Sequence, residues 1–399
     1  MRNICLYFQV HQPFRLRQMS FFDVTGDVPY FDENLNKSVL IKVAENCYQP
    51  ANKLLLSLLR KYPDFKLTFS ISGIALDQFQ KYTPHLIEDF RKLLDTGSVE
   101  FLAETNSHSL ASIKSQDHFV NDIQAHEKKM QEIFGYQPKI FRNTELIYSD
   151  QIGSWVKALG YKAMLAEGAD KVLNGRSPNR LYHYPEARRF KLLLRNYRLS
   201  DDIAFRFSNQ SWSEWPINAE KFAGWIESLP PNENIVNLFM DYETFGEHQW
   251  KDTGIFNFLE ELPACILKNQ KTRFVTPSEA IRRLRPKDVF RSIIPISWAD
   301  EQRDLSAWLG NHMQLEAFDF LYSLVEKVND LGDPTISQTW DYLQASDHFY
   351  YMSTKLSEDG TVHAYFSPYN SPHQAFTNYM NTLTNFEHRL DKMLKGQKV

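Results

Sequence analysis

Four stretches of this sequence place ionisable or amide side chains directly after short apolar runs. His11-Gln12-Pro13 follows NICLYFQV. Glu100, Glu104 and His108 lie in GSVEFLAETNSHSL; Arg142, Asn143 and Glu145 in FRNTELIYSD; Asp241, Glu243, Glu247, His248 and Trp250 in FMDYETFGEHQW. Two carboxylates flanking one scissile bond are what glycosidic cleavage needs, one as nucleophile and the other as general acid and then base. Glu145 and Asp241 form the strongest such pair. Asp241 ends a mostly apolar stretch expected to be a buried strand, where a carboxylate is expensive without a purpose. Asp241 and Glu243, two apart on extended chain, would point the same way. Glu145 follows Arg142 and Asn143, donors able to keep a carboxylate ionised, although an acid there would also suit a helix N-terminus. Taken singly, His11 reads more readily as a structural histidine than as a ligand-binding one, and Glu100 equally as an outward-facing strand residue.

Metal chemistry is the rival. His11, His108, Asp241 and His248 could supply ligands to a metal-dependent deacetylase or hydrolase, but HxH, HxxxH and HExxH spacings are absent. The sequence also lacks a GxGxxG or GxxxxGK[ST] phosphate loop and a GxSxG elbow. The expectation is therefore no metal and no cofactor.

These residues need a scaffold that brings strand ends together. Candidate strands at 3–10, 66–71, 98–103, 139–143, 162–166, 190–195, 235–240 and 273–275 alternate with amphipathic stretches such as 38–61, 74–95 and 115–134. That alternation predicts a parallel α/β architecture. Seven or eight units suit a closed barrel, whose chemistry sits at the C-terminal ends of the strands. Beyond about 290 the pattern is helical only, at 301–329, 337–355 and 372–394. The expected division is a catalytic barrel over 1–288 and a C-terminal helical domain over 289–399. The turn-rich stretch 168–188 is placed to cover a pocket.

With 399 residues and a net charge of −4, the chain favours neither nucleic acid nor an anionic membrane. Its three cysteines form no CxxC pair. The first residues read as a strand rather than a leader, and 18 consecutive apolar residues occur nowhere; a cytoplasmic protein is expected. The 29 Phe, 19 Tyr and 8 Trp are an aromatic excess that also suits stacking on sugar rings.

HQP at 11–13, GSVEFLAETNSHSL at 97–110, FRNTELIYSD at 141–150, LFMDYETFGEHQW at 238–250 and LQASDHFYYM at 343–352 resemble, in order, the five signature regions of glycoside hydrolase family 57. The match is nearest to its α-amylase branch. The resemblance implies a (β/α)7 barrel with a C-terminal helical bundle contributing to the cleft, α-1,4-glucan or maltooligosaccharide substrates, and a retaining mechanism without an obligatory metal. It places Glu145 at the nucleophile position and Asp241 at the acid/base position. His11, Gln12, Glu100, His108, Glu243, His248, Trp250 and Asp347 fall on positions expected to line or support the sugar site. With seven family strands against eight candidates, 273–275 is the expected surplus. Alternatives left open are 4-α-glucanotransfer or branching on the same scaffold, and an inactive glucan-binding protein with a relict site; the oligomeric state is not legible.

Overall fold

The computed structural model of this chain describes residues 1–355 and 367–397. Seven parallel strands form a ring: β1 (Arg2–Val10), β2 (Leu67–Ile71), β3 (Val99–Phe101), β4 (Ile140–Arg142), β5 (Ala163–Glu167), β6 (Ala187–Arg195) and β7 (Ile235–Asp241). β1 pairs with β2 and β7, β2 with β3, β4 with β5, and β5 with β6. Two joints are thin. Just past β3, the single bridge Ala103–Phe141 reaches β4, and β6 meets β7 at Arg195–Asn237. The stretch expected to be surplus is in fact a strand, Thr272–Phe274, but among the described residues it pairs only with Arg2–Ile4 of β1 and stands outside the ring. Two short strands escaped the sequence: Tyr182–Tyr184, antiparallel to β6, and Asp288–Val289, which pairs in parallel with Tyr182–His183.

Side chains alternate between the barrel interior and its helical coat. In β1, Cys5 and Tyr7 face inward, while Ile4, Leu6, Phe8 and Val10 pack outward against helices such as Gln49–Lys61 and Gly73–Tyr82. Burial on both faces explains why these strands read as nearly continuous apolar runs. At the N-terminal end of the barrel, Cys5, Ile140, Ala163 and Ile235 share one cluster with Val275 and Ala280, so the helix Pro277–Arg283 plugs that end. Toward the C-terminal end the same inward parity delivers Gln9, Ser70, Arg142, Glu167, Arg195 and Asp241. The apolar filling gives way there to a polar layer.

Among the described residues, the C-terminal region shares its core with the barrel wall. Phe318, Leu321, Trp340 and Leu383 share one apolar cluster with Phe141, Met164 and Leu192 of the barrel wall. The helix expected over 301–329 is three pieces, Ser306–Leu309, His312–Ser323 and Val325–Leu331. Gly310 and the capping box of Asn311 with Gln314 break the first from the second, because an Asn side chain that takes the Gln314 amide proton starts a new helix. The stretch 337–355 resolves into Pro334–Leu343 and the short Asp347–Tyr350. The last helix runs Pro372–Gln397. Residues 290–305 contain no helix and bridge back to the barrel at Tyr148–Ile296.

Candidate active site

Glu145 sits on the turn that follows β4, in the left-handed region at φ 54° and ψ 28°. Non-glycine residues avoid that region at a cost of about 1 kcal/mol or more, and hold it only where surrounding bonds dictate it. Here they do. Leu146 N–H donates to Asn143 O at 3.0 Å, Ile147 N–H to Thr144 O at 2.9 Å, and Trp298 N–H to Glu145 O at 3.1 Å. The buried Asn143 amide ties the turn by donating to Ile147 O at 3.0 Å. The Glu145 carboxylate is thereby aimed into a cavity at the barrel mouth, its side chain 20% exposed.

Three donors meet it. His108 Nε2 lies 3.0 Å from Oε1, Trp298 Nε1–H donates to Oε2 at 2.6 Å, and the Ser346 hydroxyl approaches Oε1 at 3.5 Å. Burial pushes the Glu145 pKa up, but His108, the Arg142 charge and the Trp298 indole outweigh it and hold the group below its ordinary value. His108 is itself buried. Its contacts with Glu104, 3.4 Å from Nδ1, and with Glu145 overcome that burial and raise it to about 9, so the ring is a cation at neutral pH. Glu104, fully buried, accepts from Gln9 at 3.2 Å and faces Arg142 at 3.7 Å. The cationic His108 ring stacks on His11 with centroids 3.8 Å apart. Burial and that cation hold His11 neutral, with Nε2 2.8 Å from Asp347 and Nδ1 2.7 Å from the Ser72 hydroxyl. Burial alone would raise Asp347, but the His11 contact keeps it ionised.

Asp241, at the end of β7, behaves oppositely. Burial and then the Glu145 charge raise it to about 6, and its carboxylate accepts no hydrogen bond from the described residues. Glu243 is raised to about 8, by burial and then by Asp241, and accepts a bond from Tyr48 OH. Burial lowers His248 to about 4, leaving it neutral. The mouth thus sets two carboxylates held ionised, Glu145 and Asp347, beside two acids, Asp241 and Glu243, that keep their protons to higher pH than an ordinary carboxyl.

His11, Gln12, His108, Glu145, Asp241, Glu243, His248 and Asp347 all line one cavity of about 170 Å³. Two expected residues are elsewhere. Glu100 lies near the start of β3, and its carboxylate accepts from the Ser278 amide (2.9 Å) and hydroxyl, bracing the plugged end of the barrel. Glu104, four residues further along the chain, reaches the mouth instead. Trp250 begins a short turn of helix, is 63% exposed, and lines neither this cavity nor its neighbour. That neighbour, about 730 Å³, shares Asp241, His248 and Trp298 with the first and adds Arg195, Tyr197, Phe205, Arg206, Trp212 and Arg303.

The sequence reading missed Trp298, Glu167 and Arg195. The last two carried a signal: each ends an apolar strand at the parity of its inward residues. Glu167 is buried with Arg195 at 3.1 Å; burial raises it to about 7 against the pull of Arg195 and Arg303. Trp298 carried none. Among the described residues, no group of three or more His, Cys, Asp or Glu side chains could hold a metal ion, and no helix is long and apolar enough to cross a membrane.

A family model described as Glycosyl hydrolase family 57 matches residues 5–297. A protein of Methanocaldococcus jannaschii named "Putative alpha-amylase" is 44% identical over 405 residues, covering 98% of this chain and 85% of its own length. Among solved structures, a family-57-type branching enzyme from Pyrococcus horikoshii superposes with TM-score 0.67 at 15% identity, over 91% of this chain and 87% of its own. A 4-alpha-glucanotransferase from Thermococcus litoralis gives 0.63 at 15% identity, over 87% of this chain and 56% of its own.

Proposed function

The chain belongs to glycosyl hydrolase family 57 and is a glycoside hydrolase, and from that premise we propose that it cleaves α-1,4-glucosidic bonds of α-glucans by double displacement. Glu145 is the nucleophile and Asp241 the acid/base. The observation that carries this reading is the pairing of two carboxyl groups on one cavity with opposite tendencies, Glu145 held ionised and Asp241 raised to about 6. Asp241 gives its proton to the glycosidic oxygen as that bond breaks, while Glu145 attacks the anomeric carbon. The aglycone leaves, Asp241 now takes a proton from water, and the hydroxide equivalent releases the sugar from Glu145. The neutral His11, ionised Asp347 and protonated Glu243 supply acceptors and donors for sugar hydroxyls. In this reading the catalytic unit spans 1–288, and Trp298, Ser346 and Asp347 from the region 289–399 complete the site, a reading supported by their contacts with Glu145 and His11.

A second reading is 4-α-glucanotransfer or branching. The cavity of about 730 Å³ joined to the site through Asp241 and Trp298 is large enough to seat an acceptor chain, where sugar would compete with water for the glycosyl group. A time-resolved product profile on maltooligosaccharides separates the two: products longer than the starting oligosaccharide mark transfer. The catalytic assignment is tested with Glu145→Ala. Turnover is expected to fall by several orders of magnitude, and azide to restore part of it by entering the vacated space and yielding a glycosyl azide. Activity like that of the unaltered enzyme would refute the assignment.

A further inference from the structure

Trp298 lies outside every signature stretch of the sequence, in the non-helical segment that follows the barrel. We infer that Trp298 is the positioning residue of the nucleophile: it holds the Glu145 carboxylate at the angle of attack through its indole N–H, and fixes the backbone turn beneath it through its own amide. The inference rests on the reading of Glu145 as nucleophile.

Three independent observations support it. The first is a double contact. One residue donates to both ends of Glu145, Nε1–H to carboxylate Oε2 at 2.6 Å and backbone N–H to carbonyl O at 3.1 Å. With Oε2 engaged by the indole and Oε1 facing His108 at 3.0 Å, rotation of the carboxylate is blocked from both sides. The second is how Trp298 is itself held. The Arg142 guanidinium lies 4.9 Å from its ring centroid and that of Arg195 5.6 Å; cations at such distances are attracted to an indole face. Arg303 donates to the Trp298 carbonyl and at 3.2 Å to Asp201, which in turn accepts from Arg195. Buried charges thus anchor the ring at both face and backbone. The third is location. Trp298 lines both the small cavity that holds Glu145 and the large one beyond Asp241, so its ring edge reaches the carboxylate from the wall between them. Preorganisation of this kind acts mainly on the chemical step, since the geometry it fixes is that of attack.

The test compares Trp298→Phe with the unaltered enzyme over a full pH range, using an activated α-glucoside and measuring kcat and KM separately. Trp298→Phe keeps an aromatic ring and removes the N–H. The expected result is a kcat about ten- to a hundredfold lower with KM changed less than about threefold. The acidic limb of kcat/KM should also move upward by about one pH unit, because the ionised nucleophile has lost a donor. The other charged groups facing Glu145, namely His108, Arg142 and Asp241, are unchanged in the variant. A rise confined to KM, or a lower melting temperature with the acidic limb unmoved, would overturn the inference. Should Trp298→Phe not fold, replacing Trp298 with 3-benzothienylalanine, which keeps the bicyclic shape and exchanges only N–H for sulfur, gives the same two readouts. The underlying reading is checked apart from this by trapping the unaltered enzyme with a 5-fluoro-α-glucosyl fluoride and locating the label by mass spectrometry. A label on Glu145 leaves that reading standing whichever way Trp298 behaves, and a label on another residue overturns both.

Discussion

Replacing Asp241 with Asn should separate natural glucans from substrates whose leaving group needs no proton. Asp241 is raised from 3.8 to about 6 by burial and by the Glu145 charge. The proton-donating form is therefore complete below pH 5, half present near pH 6 and about a tenth present at pH 7. On natural glucans, kcat/KM should fall about tenfold per pH unit above that point. Asp241→Asn should lose a further hundred- to ten-thousandfold, the usual contribution of a positioned general acid. On α-glucosyl fluoride, where fluoride departs unprotonated, the loss should stay within about tenfold and the basic limb should flatten. Stability should move the other way. A carboxyl whose folded pKa exceeds its unfolded value contributes stability that is complete below the unfolded pKa and is lost as pH rises through the folded one. The window here is about pH 4 to 6. Removing that ionisation should stabilise the protein by about 1–3 kcal/mol at pH 7.5, and by nothing measurable near pH 3.5. The assay is a pair of initial-rate pH profiles with thermal melting at both pH values. Equal losses on glucan and on fluoride would refute the general-acid role.

Retention of configuration predicts an α-anomeric sugar as the earliest product from an α-linked glucan; a β-anomer in the first proton spectra would require a water-mediated inversion. Glu243, raised to about 8 and facing Tyr48, is protonated at pH 6, so Glu243→Gln should keep turnover there within about threefold; a loss of two orders of magnitude would show that the charged form is needed. Exhaustive chelation should leave turnover unchanged, since among the described residues no group of three or more His, Cys, Asp or Glu side chains could hold a metal ion, and loss restored by zinc would establish a metal-dependent mechanism.

The sequence was sufficient wherever the information was local and periodic. An apolar run ended by a charged residue marks a buried strand and its mouth, which is why His11, His108, Glu145 and Asp241 were legible and why the α/β order was clear. It could not count the ring. Thr272–Phe274 has the composition of a strand and is one, yet it pairs with the first three residues of β1 while the seven-stranded ring closes beside it, and pairing of distant segments leaves no local trace. It could not tell Glu100 from Glu104 either. Both lie on one stretch at the same parity, but height along the barrel axis decides which meets Ser278 at the plugged end and which meets His108 at the mouth. Protonation is likewise a property of the assembled site: Glu145 and Asp241 differ because one faces a cation and an indole while the other faces a carboxylate. Trp298 belongs wholly to the tertiary structure, brought from a loop far along the chain to a carboxylate it has no sequence relation to, because packing the C-terminal region on the barrel wall carries that loop over the mouth.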